Sequence, residues 1–273
     1  MGMNSNRAKA GAIGLAMALL AGCIGAPSAG PRASPTPASD TSSTPTAAPR
    51  DTGWVTVTPG LERRAIDVPF QPLGLPERVV AFRIQPELFT FRVRYTPGLP
   101  EFVAAWEPRA RLVFNASFFD ENDAALGLVV SDGQVFGRSY EDFGGMLQVA
   151  ADGGVRVRSL TAEPYQPDEG LTQAAQGFPM LIRPDGALYT DEDGARARRT
   201  VVAQDGEGRV LVIVAPLGLF TLAEMAAWLH NADFGLTVAL NFDGGGSTGY
   251  AAGPNDRADS ITAVPVVVAI FDR

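Results

Sequence analysis

Three reactive residue types are scarce in this sequence, and each shortage excludes a kind of site. The 273 residues include one cysteine and one histidine, and the single lysine is Lys9. One cysteine, Cys23, cannot form an intrachain disulfide. One histidine, His230, cannot supply a zinc site built from several histidines. No lysine follows Lys9, so an anionic ligand of the rest of the chain must be held by arginine side chains and backbone amides.

Positive charge is also in short supply. The chain carries 22 Lys and Arg residues against 30 Asp and Glu residues, a formal net charge of −8. It has no basic stripe of the kind that binds nucleic acid, and no basic run suited to an anionic membrane surface. We therefore expect no nucleic-acid partner. The content of 46% hydrophobic and 19% charged residues is typical of a globular protein.

The N-terminal residues are typical of a bacterial export signal. Arg7 and Lys9 precede an apolar run of about a dozen residues, which suits a signal peptide and is too short for a membrane span. The run ends in Leu-Ala-Gly-Cys at 20–23, which resembles a lipobox. Residues 1–22 are thus predicted to be a lipoprotein signal peptide. Cys23 is the predicted lipidation site, and the exported chain would sit on the cell membrane facing away from the cytoplasm. A plain secretory signal with a chance cysteine is the alternative.

A tether and one domain are predicted to follow. Residues 23–51 are rich in Pro, Ser, Thr and Ala, a composition with too little apolar surface to offset the chain entropy of folding. We expect this segment to be a disordered, semi-stiff spacer. Residues 52–273 are predicted to form one catalytic domain.

Hairpin signals dominate that domain. Asp-Gly pairs lie between apolar runs at 132–133, 152–153 and 205–206, and such pairs favour tight turns between antiparallel strands. One helix is predicted from Thr221, because Glu224 completes a capping box ahead of apolar residues at helical spacing. A second, shorter helix is expected at 101–106. The predicted fold class is α+β, a single domain with a largely antiparallel or mixed sheet and a few helices.

Several polar residues interrupt the hairpins. Asn115, Ser117 and Asp120 follow a short apolar run, where residues at a strand end commonly line a cleft; a capped turn is the alternative. Gln176 precedes another strand, and a plain strand entry is its alternative. Arg199 belongs to an arginine cluster with 196 and 198. An arginine fork suits a phosphate or carboxylate, although a solvated charge cluster is also compatible.

The stretch NFDGGGST, residues 241–248, is the strongest site signal. Asn241 and Asp243 follow a short buried run, and three glycines are followed by Ser247 and Thr248. Successive backbone N–H groups form a concavity that suits an anion. No lysine follows the glycines as in a Walker loop, and the alternating acids of an EF-hand are missing. We expect the glycines to let a substrate lie directly on the backbone.

Together, these motifs resemble the phosphodiester glycosidase family. The resemblance rests on NASFFD at 115–120, QGFP at 176–179, RTVV at 199–202 and NFDGGGS at 241–247. It spans about 79 to 271. The sequence departs from the family pattern at Ser117, at Thr248, at Phe178 before the proline, and after the RTVV strand.

The resemblance implies hydrolysis of the sugar C1–O bond of a sugar-1-phosphodiester, such as an N-acetylglucosamine-1-phosphodiester or a cell-envelope glycan. Asp243 is the first candidate for the catalytic carboxylate and Asp120 the second, while Arg199 and the glycine amides would hold the phosphate. No cofactor is expected, and a bound divalent cation is the alternative. The candidate substrate-binding residues are Asn115, Ser117, Gln176, Asn241, Gly244, Gly245, Gly246, Ser247 and Thr248.

Two other functions are compatible with the same residues. A non-catalytic lipoprotein that binds carbohydrate or cell wall would keep the fold without turnover. A metal-assisted phosphodiesterase would use Asp120, Asp123 and Asp243 as ligands.

Overall fold

The computed structural model describes residues 50–70, 74–140, 143–191 and 194–273, all within the compact unit Ala47–Arg273. The predicted signal peptide, Cys23 and the tether up to residue 49 lie outside the described residues. Within the described part, no helix is long and apolar enough to cross a membrane. Asp51, at the end of the predicted tether, accepts two hydrogen bonds from Arg64.

Strands make up most of the described chain. In order they are β1 (Val55–Thr58), β2 (Leu61–Phe70), β3 (Leu75–Ile84), β4 (Phe89–Tyr95), β5 (Leu112–Asn115), β6 (Val129–Ser131), β7 (Gln134–Phe136), β8 (Gly145–Val149), β9 (Val155–Ser159), β10 (Gln173–Gly177), β11 (Met180–Ile182), β12 (Ala197–Asp205), β13 (Val210–Phe220), β14 (Leu236–Asn241), β15 (Tyr250–Ala251), β16 (Arg257–Ala258) and β17 (Val266–Asp272). The helix α1 (Leu222–Asn231) lies between β13 and β14. Short 3-10 turns occupy Pro86–Leu88, Val103–Ala105 and Gly245–Ser247.

The strands form three sheets, and every strand pairing between described residues is antiparallel. Sheet I has the order β1-β2-β3-β13-β12-β14-β11, sheet II the order β7-β6-β10-β8-β9, and sheet III the order β16-β15-β5-β17-β4. The Asp-Gly pairs at 132, 152 and 205 join β6 to β7, β8 to β9 and β12 to β13. These three predicted hairpins are therefore confirmed.

All three sheets contribute to one core. Phe82 and Val212 of sheet I, Leu147 of sheet II, and Phe114 and Val268 of sheet III belong to the same buried cluster. Neighbouring β13 residues, such as Leu211 and Ile213, point to the other face of sheet I, where α1 covers them. Since both faces are covered, β13 reads as a continuous apolar run rather than an alternating one.

The helix α1 begins as predicted. The Thr221 hydroxyl accepts the N–H of Glu224 at 3.1 Å, and the Glu224 carboxylate accepts the N–H of Thr221 at 3.0 Å. This reciprocal pair is the capping box. The expected shorter helix at 101–106 is instead the 3-10 turn Val103–Ala105.

The predicted α+β class is wrong, because the described fold is nearly all-β with α1 as its one α-helix. The physical reason lies in what covers each sheet. A sheet needs a partner for its apolar face, and here the inner faces cover one another, so that a helical layer is needed only outside sheet I. Hairpin signals along the chain carry no information about that arrangement.

Candidate active site

The candidate site lies where the three sheets meet. Asn115 ends β5 of sheet III, Gly177 ends β10 of sheet II, and Asn241 ends β14 of sheet I. A Cβ at Gly177 would lie 2.4 Å from the Asn241 carbonyl oxygen, so sheets I and II are in direct backbone contact there. The ends of strands β5, β10 and β14, which carry three of the sequence motifs, thus converge.

Asn115 is a buried cross-link. Its Nδ2 donates to the carbonyl of Asp243 at 2.7 Å, and its Oδ1 accepts the Thr200 hydroxyl at 2.7 Å and the Gly249 N–H at 3.1 Å. The side-chain oxygen and one amide hydrogen are therefore engaged with the protein. The structure places Asn115 behind Asp243, where it fixes the backbone of the loop.

Both the main chain and the carboxylate of Asp243 accept or donate hydrogen bonds. Its N–H donates to the carbonyl of Ala116 at 3.0 Å, and its Oδ1 accepts the N–H of Gly244 at 2.9 Å. The Ser247 hydroxyl lies close enough to this carboxylate to lower its pKa. Burial raises the pKa of Asp243 to about 6, and the interactions with Ser247 and Gly244 lower it only in part. A carboxylate that titrates near neutral pH is suited to acid–base or nucleophilic work.

The three glycines are required for different reasons. A Cβ at Gly244 would lie 2.7 Å from the carbonyl oxygen of Arg198, and a Cβ at Gly246 would lie 3.0 Å from Cγ2 of Thr262. Gly245 has φ of +58° and open space beside its Cα, so its backbone favours glycine without any close neighbour. Protein packing thus accounts for Gly244 and Gly246, and only Gly245 faces space that a ligand could fill.

Three buried polar atoms without partners belong to residues close to Asp243 in the chain or in its hydrogen-bond network. They are Ser117 Oγ, Asn241 Oδ1 and Thr248 Oγ1, and all three residues are at most 4% exposed. Asn241 precedes Asp243 by two residues, Ser117 follows the Ala116 carbonyl that accepts the N–H of Asp243, and Thr248 ends the same glycine-rich stretch. A buried polar atom without a hydrogen bond costs about 1–3 kcal/mol. Such atoms mark a place where a polar group is expected to bind.

Arg199 lies beside the glycines. Its Nε donates to the carbonyl of Phe220 at 3.2 Å and its Nη2 to that of Ala195 at 2.7 Å. Its Nη1 would lie 3.9 Å from a Cβ at Gly244. The guanidinium is therefore fixed by main-chain carbonyls, with one nitrogen turned toward the loop after Asp243.

Arg198 is a site neighbour that the sequence reading did not assign. Its guanidinium donates to the carbonyls of Pro216 and Asp259, both at 2.8 Å, while its Nη1 is buried without a partner. Desolvation lowers the pKa of Arg198. The arginine cluster was visible in the sequence, but nothing in it distinguishes 198 from 199. The third member, Arg196, pairs with Glu224 of α1.

Two of the predicted site residues have other partners. The Asp120 carboxylate accepts the N–H groups of Asn122 at 2.8 Å and Ala124 at 2.9 Å within its own turn, and these bonds lower its pKa. No contact among the described residues joins it to Asp243. The Gln176 amide bonds the N–H of Leu128 and both the N–H and the carbonyl of Tyr140. Gln176 thus ties strand β10 to the segment that carries Tyr140.

Ser247 also completes a Gly-x-Ser-x-Gly pattern at 245–249, a spacing found at serine-hydrolase elbows. That elbow joins a strand to an α-helix, whereas Ser247 ends the 3-10 turn Gly245–Ser247 and lies close to the Asp243 carboxylate. The one histidine, His230, is exposed on α1. Ser247 therefore lacks the strand-to-helix setting of a serine-hydrolase nucleophile.

Carboxylates are not grouped in the described part of the chain. No set of three or more His, Cys, Asp or Glu side chains there is placed to hold a metal ion. Asp120, Asp123 and Asp243 are therefore not such a set in the described part of the chain.

Comparison with known proteins gives a family and a fold. Residues 108–271 match the sequence model of the phosphodiester glycosidase family. No curated protein matches the chain. The zebrafish N-acetylglucosamine-1-phosphodiester α-N-acetylglucosaminidase catalytic domain, auto-inhibited by its pro-peptide, is 21% identical, with 83% of this chain and 88% of that chain covered and a TM-score of 0.61. A hypothetical protein from Synechocystis is 17% identical, with 83% of this chain and 64% of that chain covered and a TM-score of 0.58. At these identities the structural matches speak to the fold.

Proposed function

Since this chain belongs to the phosphodiester glycosidase family, we propose that it is a hydrolase that cleaves the sugar C1–O bond of a sugar-1-phosphodiester. The products would be the free sugar and a phosphomonoester. The zebrafish structural neighbour acts, by its name, on an N-acetylglucosamine-1-phosphodiester. We propose the same type of substrate here, or a cell-envelope glycan with the same linkage.

The observation that carries the proposal is the environment of Asp243. The pKa of its partly buried carboxyl is raised to about 6, and the nearby residues Ser117, Asn241 and Thr248 each carry a buried polar atom without a partner. A sugar offers several hydroxyl groups that can hydrogen-bond polar side chains, and leaving such groups unsatisfied is costly. A carboxylate among polar side chains is what a glycosidase needs for its reacting sugar.

The chemistry requires only one carboxylate. Glycosidases that expel an alcohol need a second carboxyl group to protonate the leaving oxygen. A phosphomonoester is a much better leaving group, because the negative charge that forms on it is stable in water. The C1–O electron pair departs with the phosphate, and the ionised carboxylate of Asp243 acts on the C1 side, either on the carbon itself or on the attacking water.

The phosphate would lie on the glycine side of Asp243. Arg199 supports this assignment, because its Nη1 lies beside Gly244 and hydrogen bonds from a guanidinium to phosphate oxygens are charge-assisted. The partly buried guanidinium of Arg198 adds positive charge nearby. Preorganised cationic groups stabilise charge that develops on a leaving group.

We also propose that the enzyme acts outside the cytoplasm, held to the bacterial membrane by a lipid on Cys23. An acyl chain contributes about 0.8 kcal/mol of membrane binding per buried CH₂ group. Cys23→Ser should therefore move the protein from the membrane fraction to the soluble fraction. Retention of that variant in membranes, with no lipid mass on the wild-type N-terminus, would refute the anchor.

The test of the function is turnover of a panel of sugar-1-phosphodiesters by the wild type and by Asp243→Asn. The wild type should release free sugar, and the variant should be slower by at least about 100-fold, the lower range for the loss of a charge-stabilising or acid–base group. Asp233→Asn is the matched control, since Asp233 is exposed and pairs with Arg64. Saccharide binding without turnover by the wild type would favour the non-catalytic function.

A further inference from the structure

Four aromatic rings form a cluster that the reaction does not explain. We call Phe118, Tyr140, Phe143 and Phe178 the aromatic cluster. Phe118 stacks on Phe178 with ring centroids 4.3 Å apart, and Tyr140 stacks on Phe143 at 5.2 Å. Phe178 also meets Phe143 edge-on at 5.5 Å and Tyr140 at 6.3 Å. The rings come from three separate segments, so the cluster is a tertiary feature of the fold.

The cluster is continuous with the candidate site. Phe118 directly follows Ser117, whose hydroxyl is buried and unpartnered. The Phe178 carbonyl accepts the Nδ2 of Asn241 at 2.8 Å, and the Oδ1 of the same amide is the second unpartnered atom. The cluster therefore adjoins Ser117 and Asn241, whereas Arg199 lies beside Gly244 on the other side of Asp243 along the chain.

The cluster is rigidly held and yet open to solvent. The Gln176 amide fixes the backbone of Tyr140 from both its N–H and its carbonyl. A Cβ at Gly144 would lie 2.3 Å from the carbonyl oxygen of Gly177, so the segments that carry Phe143 and Phe178 are packed backbone to backbone. Phe143 is nevertheless 48% exposed, and the other three rings are partly exposed. Rings that served only the core would be buried.

A pyranose ring fits these surroundings better than a wholly apolar group. Its C–H face can lie on an aromatic ring, while its hydroxyls suit the polar surroundings that Ser117 and Asn241 give the cluster. A hydrocarbon chain would cover the rings but could make no hydrogen bond to polar groups beside them. Binding sites commonly combine aromatic walls with a few placed polar groups in this way.

We propose that the aromatic cluster binds the glycosyl ring of the substrate, the sugar whose C1 is attacked, with Phe143 as its solvent-facing wall. This inference rests on the proposed function for the orientation of the substrate, with phosphate toward Arg199 and sugar toward Phe178. Gln176 is then a positioning residue, because it holds Tyr140 in the cluster.

The first test measures sugar binding without turnover. Saturation-transfer NMR of the full chain with N-acetylglucosamine, glucose, galactose and mannose should show transfer to ring protons for at least one sugar. Phe143→Ala should weaken that binding by about 3- to 10-fold, the range of one aromatic contact, and Phe143→Trp should preserve it. Phe102→Ala is the matched control, since Phe102 is also 48% exposed and belongs to none of the ring contacts among described residues. No transfer to any of the four sugars, or equal binding by Phe143→Ala, would overturn the proposal.

The second test separates this inference from the proposed function. For a substrate that the wild type hydrolyses, Phe143→Ala should raise KM with little change in kcat. The factor by which KM rises should be the same whether the group esterified to the far side of the phosphate is a methyl or a hexosyl group. A factor that differs between these two substrates would place the cluster at the leaving group and overturn the proposal. If the wild type binds a sugar through Phe143 but hydrolyses no phosphodiester, the sugar subsite stands and the proposed function fails.

Discussion

The side-chain amide of Asn115 donates a hydrogen bond of 2.7 Å to the main-chain carbonyl of Asp243. The two residues are 128 positions apart, and the bond fastens the end of β5 in sheet III to the loop that leaves sheet I. Because Asn115 also accepts from Thr200 and Gly249, one buried side chain links four segments around Asp243, the proposed catalytic residue. Asn115 therefore has a positioning function that its motif alone does not reveal.

Replacement of Asn115 should damage both stability and rate. Asn115→Leu is similar in size but leaves the Asp243 carbonyl, the Thr200 hydroxyl and the Gly249 N–H without their partner, at about 1–3 kcal/mol for each group left unsatisfied. We expect a loss of several kcal/mol in urea unfolding. The control is Asn231→Leu, which removes a bond to the Ala227 carbonyl at an exposed position and should change stability by about 0.5 kcal/mol or less. Equal effects of the two substitutions would contradict the positioning function.

The rate should depend on pH through Asp243. The carboxyl has a pKa of about 6, and the proposed chemistry uses its ionised form. Turnover should therefore rise with pH and level off above about pH 6 to 7. The residual activity of Asp243→Asn should lack this rise. A rate that falls as pH increases through 6 would mean that Asp243 works as a protonated acid, and the proposed role would be wrong.

The free energy of unfolding should also depend on pH through Asp243, but it should fall as pH rises. Because the folded-state pKa is raised above the ordinary value of 3.8, the folded protein keeps a proton between about pH 4 and 6 that the unfolded chain has lost. Stability falls through this window as pH rises. Asp243→Asn removes the effect, so its stability relative to the wild type should increase by about 1–3 kcal/mol between pH 4 and pH 8. Urea unfolding at both pH values measures this, and a pH-independent difference would contradict the raised pKa.

The first two glycines of the turn should respond differently to substitution. Gly244→Ala places a Cβ 2.7 Å from the Arg198 carbonyl oxygen, so the backbone must shift and the melting temperature should drop. Gly245→Ala meets no neighbour and carries only the cost of a positive φ, about 1–2 kcal/mol. Gly245→Asn adds bulk to the open side, and asparagine tolerates a positive φ better than most residues, so this variant should lose more activity than Gly245→Ala at similar stability. If Gly245→Asn binds and hydrolyses substrate like Gly245→Ala, the space beside Gly245 is not part of the site.

Local sequence patterns identified the pieces of this fold but not their assembly. The capping box at Thr221 and the Asp-Gly turns are set by residues within a few positions of each other, and the structure confirms them. The number of layers depends on which sheet covers which, and that contact is made between residues such as Phe82, Leu147 and Val268. These are far apart in the chain, which is why the α+β prediction failed.

The sequence likewise identified residues of the candidate site but not the role of each one. Polar residues at the ends of apolar runs singled out Asn115, Asn241 and Asp243 as site candidates, and the structure places Asn115 against the main chain of Asp243. The sequence did not show which of these polar residues support the fold and which could contact a ligand. Gln176 is an equally polar residue in an equally specific motif, and its amide is fully engaged with Leu128 and Tyr140. Only the three-dimensional partners separate groups that face a ligand from groups that support the frame.

The position of bond cleavage tests the central claim most directly. A sugar-1-phosphodiester that the wild type hydrolyses is incubated in ¹⁸O-labelled water, and both products are analysed by mass spectrometry at early times. A no-enzyme control corrects for exchange at the anomeric hydroxyl. Because water should attack C1, we predict label on the released sugar and an unlabelled phosphomonoester. Label in the phosphomonoester would mean cleavage at phosphorus, and it would contradict the assignment of Asp243 to glycosidic chemistry.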